Sequence, residues 1–403
     1  MSSGPEYTYV EQPFIDQLVS MGWKWTTGNL DFPSVTGRES FREVLLLDDL
    51  RKALRRINLD DNGNPWLNDA RIATAVSAVE RISAPKLMEA NQLATEVLLK
   101  GVPVEGLEGW DGGRTRTVSF FDWNHPENNT FRAINQFQVE EPGGQTHKHI
   151  IPDLVLFVNG IPLVVVECKS PYLTDPLAEG IEQLQRYANQ RYWVDGNEGC
   201  ERLFHTNQFM VTTCFEQARV GTIGALAHHF MEWKDTAPVP KKEVAAALGK
   251  EGLSRQETLV AGMLRPESLL DIVRHFILFK IDNGKTIKVV TRYQQYRAVL
   301  SAVDRLQTGK TRSADGEQDR RGGIIWHTQG SGKSLTMVFL VRKMRTNTTL
   351  RKFKVVVVTD RKDLQKQLAD TAELSGETVK IAKRIISLKE MLSEKGPGLV
   401  FAM

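Results

Sequence analysis

Apolar residues recur every three to four positions over Tyr9–Met21, Phe41–Ile57, Ala70–Arg81 and Lys86–Leu99, so each stretch is predicted as a helix with one buried face. The pattern then changes. Val102–Gly113 is rich in glycine and reads as loop, and the apolar residues after it group as strands over Thr117–Asp122, Ala133–Glu140, Asp153–Val158 and Leu163–Cys168. Helical spacing returns at Leu177–Arg191, and Gln208–Thr213 is a further strand. A Pro-punctuated linker, Ala237–Lys242, precedes helices over Pro266–Phe279 and from about Tyr293 to Leu306. Thr308–Arg321 is polar and charged and reads as a mobile insert. Strand Gly323–His327, a Gly-rich loop, helix Lys333–Arg345 and strand Lys354–Thr359 then make a βαβ unit, which predicts parallel α/β architecture. The expected division is a domain over 1–240, a connection over 241–285 and a second domain over 286–403.

Composition narrows the class without naming it. At 403 residues, with 41% hydrophobic and 25% charged positions, the chain is long enough for two or three domains with sizeable cores. A net charge of +3 is too mild to point to nucleic acid by itself. Cys168, Cys200 and Cys214 are widely spaced and form no C-x-x-C pair, which speaks against a zinc ribbon or a redox motif. The polar, acidic N-terminus does not fit a signal peptide, and Leu154–Val166 is too short and broken for a membrane span. A cytoplasmic protein without membrane contact is expected.

The densest chemistry lies in Ile150–Pro171, I-I-P-D-L-V-L-F-V-N-G-I-P-L-V-V-V-E-C-K-S-P. Asn159-Gly160 is a strong hairpin signal, because both positions tolerate positive φ. Folding there brings Asp153 near Glu167, and Pro162 perturbs the register. Glu167 and Lys169, two apart on a strand, share a face, while Cys168 points the other way. Two carboxylates that close need a cation between them, and Mg²⁺ prefers oxygen ligands and keeps waters able to attack a phosphodiester. Lys169 would orient or help deprotonate such a water, or stabilise charge on the phosphate. His147 and His149 share a strand face too, but a Mg²⁺-type site needs no imidazole.

Pro152-Asp153 followed by Glu167-Cys168-Lys169 resembles the PD-(D/E)xK nuclease core. On the next helix, Gln183 and Tyr187 resemble the Q-x-x-x-Y element that follows this core in the motor subunits of type I restriction enzymes and in some RecB-like nucleases. They lie one turn apart on one face, placed to reach the scissile phosphate or to hold the hairpin. In this likeness Glu11, on the first helix, would supply a further carboxylate.

The second motif is H-T-Q-G-S-G-K-S, His327–Ser334. Gly330 and Gly332 let backbone N–H groups turn toward phosphate at a helix N-terminus. Lys333 would contact β- and γ-phosphates, and Ser334 would ligate Mg²⁺. His327 stands where the usual pattern has its first Gly, a position with little phosphate contact. Residues 322–337 resemble the ATP-binding motif of the type I restriction motor subunit, a superfamily 2 translocase, and residues 355–368 its motif Ia. R-Y-Q-Q-Y-R-A-V, residues 292–299, resembles its adenine-recognition segment, in which Gln295 would read the base; from the sequence alone either Gln294 or Gln295 qualifies, or neither, both being plain surface glutamines of a helix.

The resemblance implies a PD-(D/E)xK restriction-endonuclease-like nuclease domain followed by a partial RecA-like P-loop domain. Asp153, Glu167, Lys169, Gln183 and Tyr187 would form the nuclease site, with Mg²⁺ on Asp153 and Glu167. ATP would bind Thr328, Gln329, Gly330, Ser331, Gly332, Lys333 and Ser334 together with Gln295, with Ser334 on its Mg²⁺. The partners implied are double-stranded DNA and the methylation (M) and specificity (S) subunits. No D-E-x-x tetrapeptide follows Ser334, so a truncated chain or fragment is expected, with ATP hydrolysis incomplete. Two rival expectations remain: an independent repair-type nuclease with a nucleotide-binding domain, and a non-catalytic ATP-binding remnant. Arg51–Arg56 and Lys241–Lys242 are basic runs that read first as solvated helix faces.

Overall fold

A computed structural model describes residues 4–106, 113–141, 149–191, 193–194, 198–360 and 362–403. The chain divides into two compact units, one formed by residues 1–277 and 281–290 and the other by 278–280 and 291–403.

In the first unit a π-helical turn, Tyr7–Glu11, runs into α1 (Gln12–Ser20), whose Phe14, Ile15 and Leu18 are fully buried. Strand β1 (Lys24–Thr27) follows. Helix α2 (Leu47–Ile57) has Asp48 and Asp49 in its first turn and Arg55 and Arg56 in its last, which suits its dipole. It starts later than the apolar pattern of Phe41–Ile57 predicts, because the Leu46 N–H is committed to Gly160 O at 2.9 Å and Val44, Leu45 and Leu46 are all buried ahead of the helix. Asn68 caps α3 (Asp69–Glu80) by accepting the Arg71 N–H at 2.9 Å, and α4 (Leu87–Lys100) ends at Gly101.

Val102–Val104 is a strand, β2, and not the loop expected there; it pairs with β3 (Arg116–Val118), a shorter strand than the Thr117–Asp122 expected. The predicted strand Ala133–Glu140 is two: β4 (Phe131–Asn135) and β5 (Val139–Glu140), separated by Gln136 at φ 53°. Strand β5 pairs with β6 (His149–Ile150). Next come β7 (Leu154–Val158), β8 (Ile161–Cys168), α5 (Pro176–Tyr187), β9 (Phe209–Thr213) and β10 (Ala218–Gly221).

Among the described residues the main sheet has the order β1-β4-β7-β8-β9-β10, with β1–β4 and β8–β9 parallel and the other pairs antiparallel. Every residue of β7 and β8 is buried, as expected for central strands covered on both faces. Asn159 (φ 51°) and Gly160 (φ 79°) form their turn. A side chain at 160 would meet Leu46 O at 2.4 Å, so the turn and the start of α2 fit only around a glycine. The ladder shifts by one residue between Leu156 and Phe157, opposite the Pro162 region.

The segment read as a connection carries α6 (Lys241–Ala247), α7 (Arg255–Met263) and α8 (Pro266–His275), and it packs inside the first unit. Helix α7 has a complete capping box between Ser254 and Glu257. Its Gln256 donates to Val10 O at 3.0 Å and accepts from Thr213 Oγ1 at 2.8 Å. Gln17 donates to Glu257 O and Trp23 Nε1 to Leu264 O. A ribbon of β11 (Ile277–Asp282) and β12 (Lys285–Val290) follows, turning at Asn283-Gly284.

The second unit contains α9 (Tyr293–Thr308), the short α10 (Arg312–Asp315), α11 (Lys333–Thr346), β13 (Lys354–Val358), α12 (Lys362–Ala372), β14 (Val379–Ile381), α13 (Ile385–Ser393) and β15 (Gly398–Ala402). Its sheet is parallel, in the order β13-β15-β14, over a core of Val341, Ala369, Ala372, Leu399 and Phe401. Arg345 bridges this layer, pairing with Glu377 and donating to Phe353 O at 2.7 Å. Gly323–His327 is not the strand predicted. An apolar run becomes a strand only when its backbone finds a neighbour, and among the described residues no strand pairs with this one. Ile324 and Trp326 are instead 95% and 80% exposed. Among the described residues no helix is long and apolar enough to cross a membrane.

Candidate functional site

The hairpin delivers its acids to the open end of the sheet. Leu154 pairs with Val166, so Asp153 stands across from Glu167. Asp153 Oδ2 accepts the Cys168 N–H at 2.7 Å, which ties the end of one strand to the other. Lys169 Nζ donates to Glu167 Oε1 at 2.6 Å, and its own N–H is held by Thr213 O at 2.8 Å. All three side chains are buried or nearly so: Glu167 0%, Lys169 7% and Asp153 8% exposed. Cys168 is fully buried, like every other residue of β8. Helix α5 comes close enough to cover the site because position 180 is glycine; a side chain there would meet Thr212 Oγ1 at 2.0 Å.

Burial dominates the electrostatics. It pushes Asp153 up to about 6 against the pull of Lys169, and it pushes Glu167 well above the ordinary carboxylate value, with repulsion from Asp153 added. Burial works against the Lys169 charge, yet Glu167 and Asp153 outweigh it and hold the ammonium above its usual value. Among the described residues no donor reaches the buried Glu167 Oε2, and the group Glu167 meets besides Lys169 is the second carboxylate, Asp153. An acceptor left over beside a second carboxylate is the arrangement a hard cation relieves. Among the described residues no three His, Cys, Asp or Glu side chains form a metal cage. Asp153 and Glu167 are the side chains that could hold a hard cation such as Mg²⁺, which takes few carboxylates and retains its waters.

The remaining residues singled out from sequence separate clearly. Tyr187 is 1% exposed, donates from Oη to Ile151 O at 3.1 Å and accepts from Gln183 Nε2 at 2.5 Å. Both side chains thus hold the entry to the hairpin two residues before Asp153. Glu11 does join the acids: it is 2% exposed and accepts from Asn135 Nδ2 at 2.9 Å. His149 sits on β6 beside Glu140, and His147 lies outside the described residues.

Two members of the site escaped the sequence reading. Glu6 accepts the Ser170 N–H at 3.0 Å and adds charge near Asp153. Asn135, 3% exposed, joins Glu11 to Trp25 Nε1, its own Oδ1 accepting at 3.0 Å. Both come from positions distant in sequence, and no local pattern marks them.

In the second unit, Gly330 (φ 75°) and Gly332 (φ 81°) both occupy the left-handed region, and Lys333 opens α11 directly after them. Lys333 Nζ arches back over the loop to Thr328 O at 3.0 Å and His327 O at 3.2 Å. Ser331 Oγ closes the loop on Thr328 O at 2.6 Å. Ser334 is half-buried one residue into the helix. Gln295 is 2% exposed, and its Nε2 donates to Gly332 O at 3.0 Å while its Oε1 accepts the Arg292 N–H at 2.8 Å. It therefore braces the loop backbone and caps α9. Gln294 instead lines a 770 Å³ cleft with Tyr293, Arg297, Trp326, His327 and Thr328. Loop, lysine and helix N-terminus together fit a phosphate chain.

The comparisons with known proteins agree with this layout. Residues 6–227, more than half the chain, match the family described as "Type I restriction enzyme R protein N terminus", and residues 294–403 match "SWI2/SNF2 ATPase". The type I restriction enzyme HindI endonuclease subunit of Haemophilus influenzae is 33% identical over 97% of this chain and 35% of its own length. The type I restriction enzyme SauCOLORF180P endonuclease subunit of Staphylococcus aureus is 24% identical over 91% of this chain and 33% of its own. The chain spans about a third of the length of these relatives. With more than half of its residues inside the first of those families, the chain belongs to the type I restriction enzyme R proteins, of which it represents the N-terminal portion.

Proposed function

We propose that this chain is the nuclease and ATP-binding portion of a type I restriction endonuclease R subunit. In this reading the first unit is a PD-(D/E)xK-like nuclease that hydrolyses DNA phosphodiesters. The observation that carries it is the buried Asp153–Glu167–Lys169 cluster with a carboxylate oxygen left unpartnered. Mg²⁺, held by Asp153 and Glu167, would supply Lewis-acid charge and an acidified water. Lys169 keeps a positive charge beside the phosphate, where charge grows as the bond breaks. Tyr187 and Gln183 position Asp153 through Ile151.

The second unit binds ATP. Thr328, Gln329, Gly330, Ser331 and Gly332 cradle the phosphates with their backbone, Lys333 neutralises them, and Ser334 offers its hydroxyl to Mg²⁺. Gln295 keeps the cradle in shape. In the complete protein, ATP-driven translocation along double-stranded DNA precedes cutting, in a cytoplasmic complex with the methylation and specificity subunits.

The test is a supercoiled-plasmid assay with Mg²⁺, ATP and the partner subunits, using the R protein that contains this sequence. The variant Asp153→Ala/Lys169→Ala is expected to lose cutting by at least about a thousandfold while still assembling with its partners. Undiminished cutting by that variant would sink the site assignment. Cutting without the partner subunits would favour an independent nuclease.

A further inference from the structure

We propose that Tyr9 and Tyr172 form a stacking platform for an unpaired DNA base beside the bond that is cut. The proposal rests on the nuclease reading above. The two rings meet edge to face, with centroids 6.4 Å apart and planes at 85°, yet Tyr9 is 53% and Tyr172 75% exposed. Large rings left in water at that level need a reason, and these two are not scattered surface residues.

Each is fixed to the acid cluster by its own segment. Tyr9 sits in the π-helical turn Tyr7–Glu11, two residues before Glu11. Tyr172 lies three residues after Lys169. The chain between is held by the Lys169 N–H on Thr213 O and the Ser170 N–H on Glu6 Oε2. The Tyr172 N–H reaches Ser170 Oγ at 3.4 Å. Both ring-bearing segments therefore carry members of the cluster, and the platform stands at its rim.

The chemistry selects the occupant. An edge-to-face pair leaves ring faces open, and stacking is the interaction such faces make with a nucleobase whatever its sequence. Bases inside a duplex hide their faces against their neighbours, so only an unstacked base can occupy the platform. The substrate at the moment of cutting is therefore DNA with at least one base opened from the helix.

Direct binding tests this without any cutting. The chain carrying Asp153→Ala is titrated, free of metal, with a single-stranded oligonucleotide containing 2-aminopurine and with the same sequence as a closed duplex. Quenching of the single strand and little quenching of the duplex are expected. Adding Tyr9→Ala/Tyr172→Ala should weaken single-strand binding about tenfold and abolish the quenching, while Tyr9→Phe/Tyr172→Phe should preserve both. If the double alanine chain melts early, Tyr172→Ala alone decides, since that ring is mostly in solvent. Equal quenching by duplex and single strand, or undiminished binding by the alanine variants, overturns the platform. Failure of the nuclease reading shows separately, as plasmid cutting that survives loss of Asp153 and Lys169.

Discussion

Glu11 is the acid whose state the fold controls most visibly. Burial drives its carboxyl up to about 7 against the Asn135 hydrogen bond, with repulsion from Asp153 and Glu6 added. A raised carboxyl means that the folded chain keeps a proton the unfolded chain has released. The stability it contributes is full below the ordinary value of 4.5 and is lost as pH rises through 7. Glu11→Gln removes that titration. Thermal melting in EDTA should show the variant gaining about 1–2 kcal/mol over the parent at pH 8 and almost nothing at pH 5. An equal difference at both pH values would show that Glu11 does not titrate across this range.

At the scale of single elements, the phosphate loop is set by one close approach. A Cβ on Gly332 would meet Gln295 Nε2 at 2.5 Å, at a backbone φ of 81°. Gly332→Ala therefore strains the loop and dislodges Gln295 together. Calorimetry with a non-hydrolysable ATP analogue is expected to show at least about a tenfold loss of affinity, with the melting of the first unit unchanged. Unaltered affinity would separate Gln295 from nucleotide binding. Elements built from local pattern were legible in the sequence. The Asn159-Gly160 turn needs only its two residues, so the nearness of Asp153 and Glu167 could be read directly. The glycines and Lys333 before α11 are equally local. The misses had distant causes. The start of α2 is decided by a hydrogen bond to Gly160, and Gly323–His327 has the composition of a strand but, among the described residues, no strand to pair with. Glu6 and Asn135 enter the acid cluster only through the tertiary fold.

At the scale of the molecule, the helices after residue 240 complete the first unit. Leu259, Val260 and Leu264 are fully buried, and α7 bonds to Val10, Gln17, Thr213 and Trp23. Each such side chain buried is worth about 1.5–3 kcal/mol, so their joint loss is comparable with a typical domain's whole stability. A chain ended at 240 is expected to be protease-sensitive and to lack a cooperative melt, whereas one ended at 290 should melt cooperatively. Two equal melts would mean that α7 is dispensable.

The ladder shift opposite Pro162 carries more than a kink. Asp153 lies one residue nearer the turn than Glu167 does, and the extra residue on β8 absorbs that inequality. Without it Asp153 would face Val166, and Glu167 would turn to the opposite side of the sheet. Strands β7 and β8 are apolar on both faces, so hydrophobic burial alone would accept either alignment. The instruction that puts two acids on the same side is thus written as a single irregularity in the backbone: the same sequence zipped evenly from the turn would still pack well, with its chemistry divided between two surfaces.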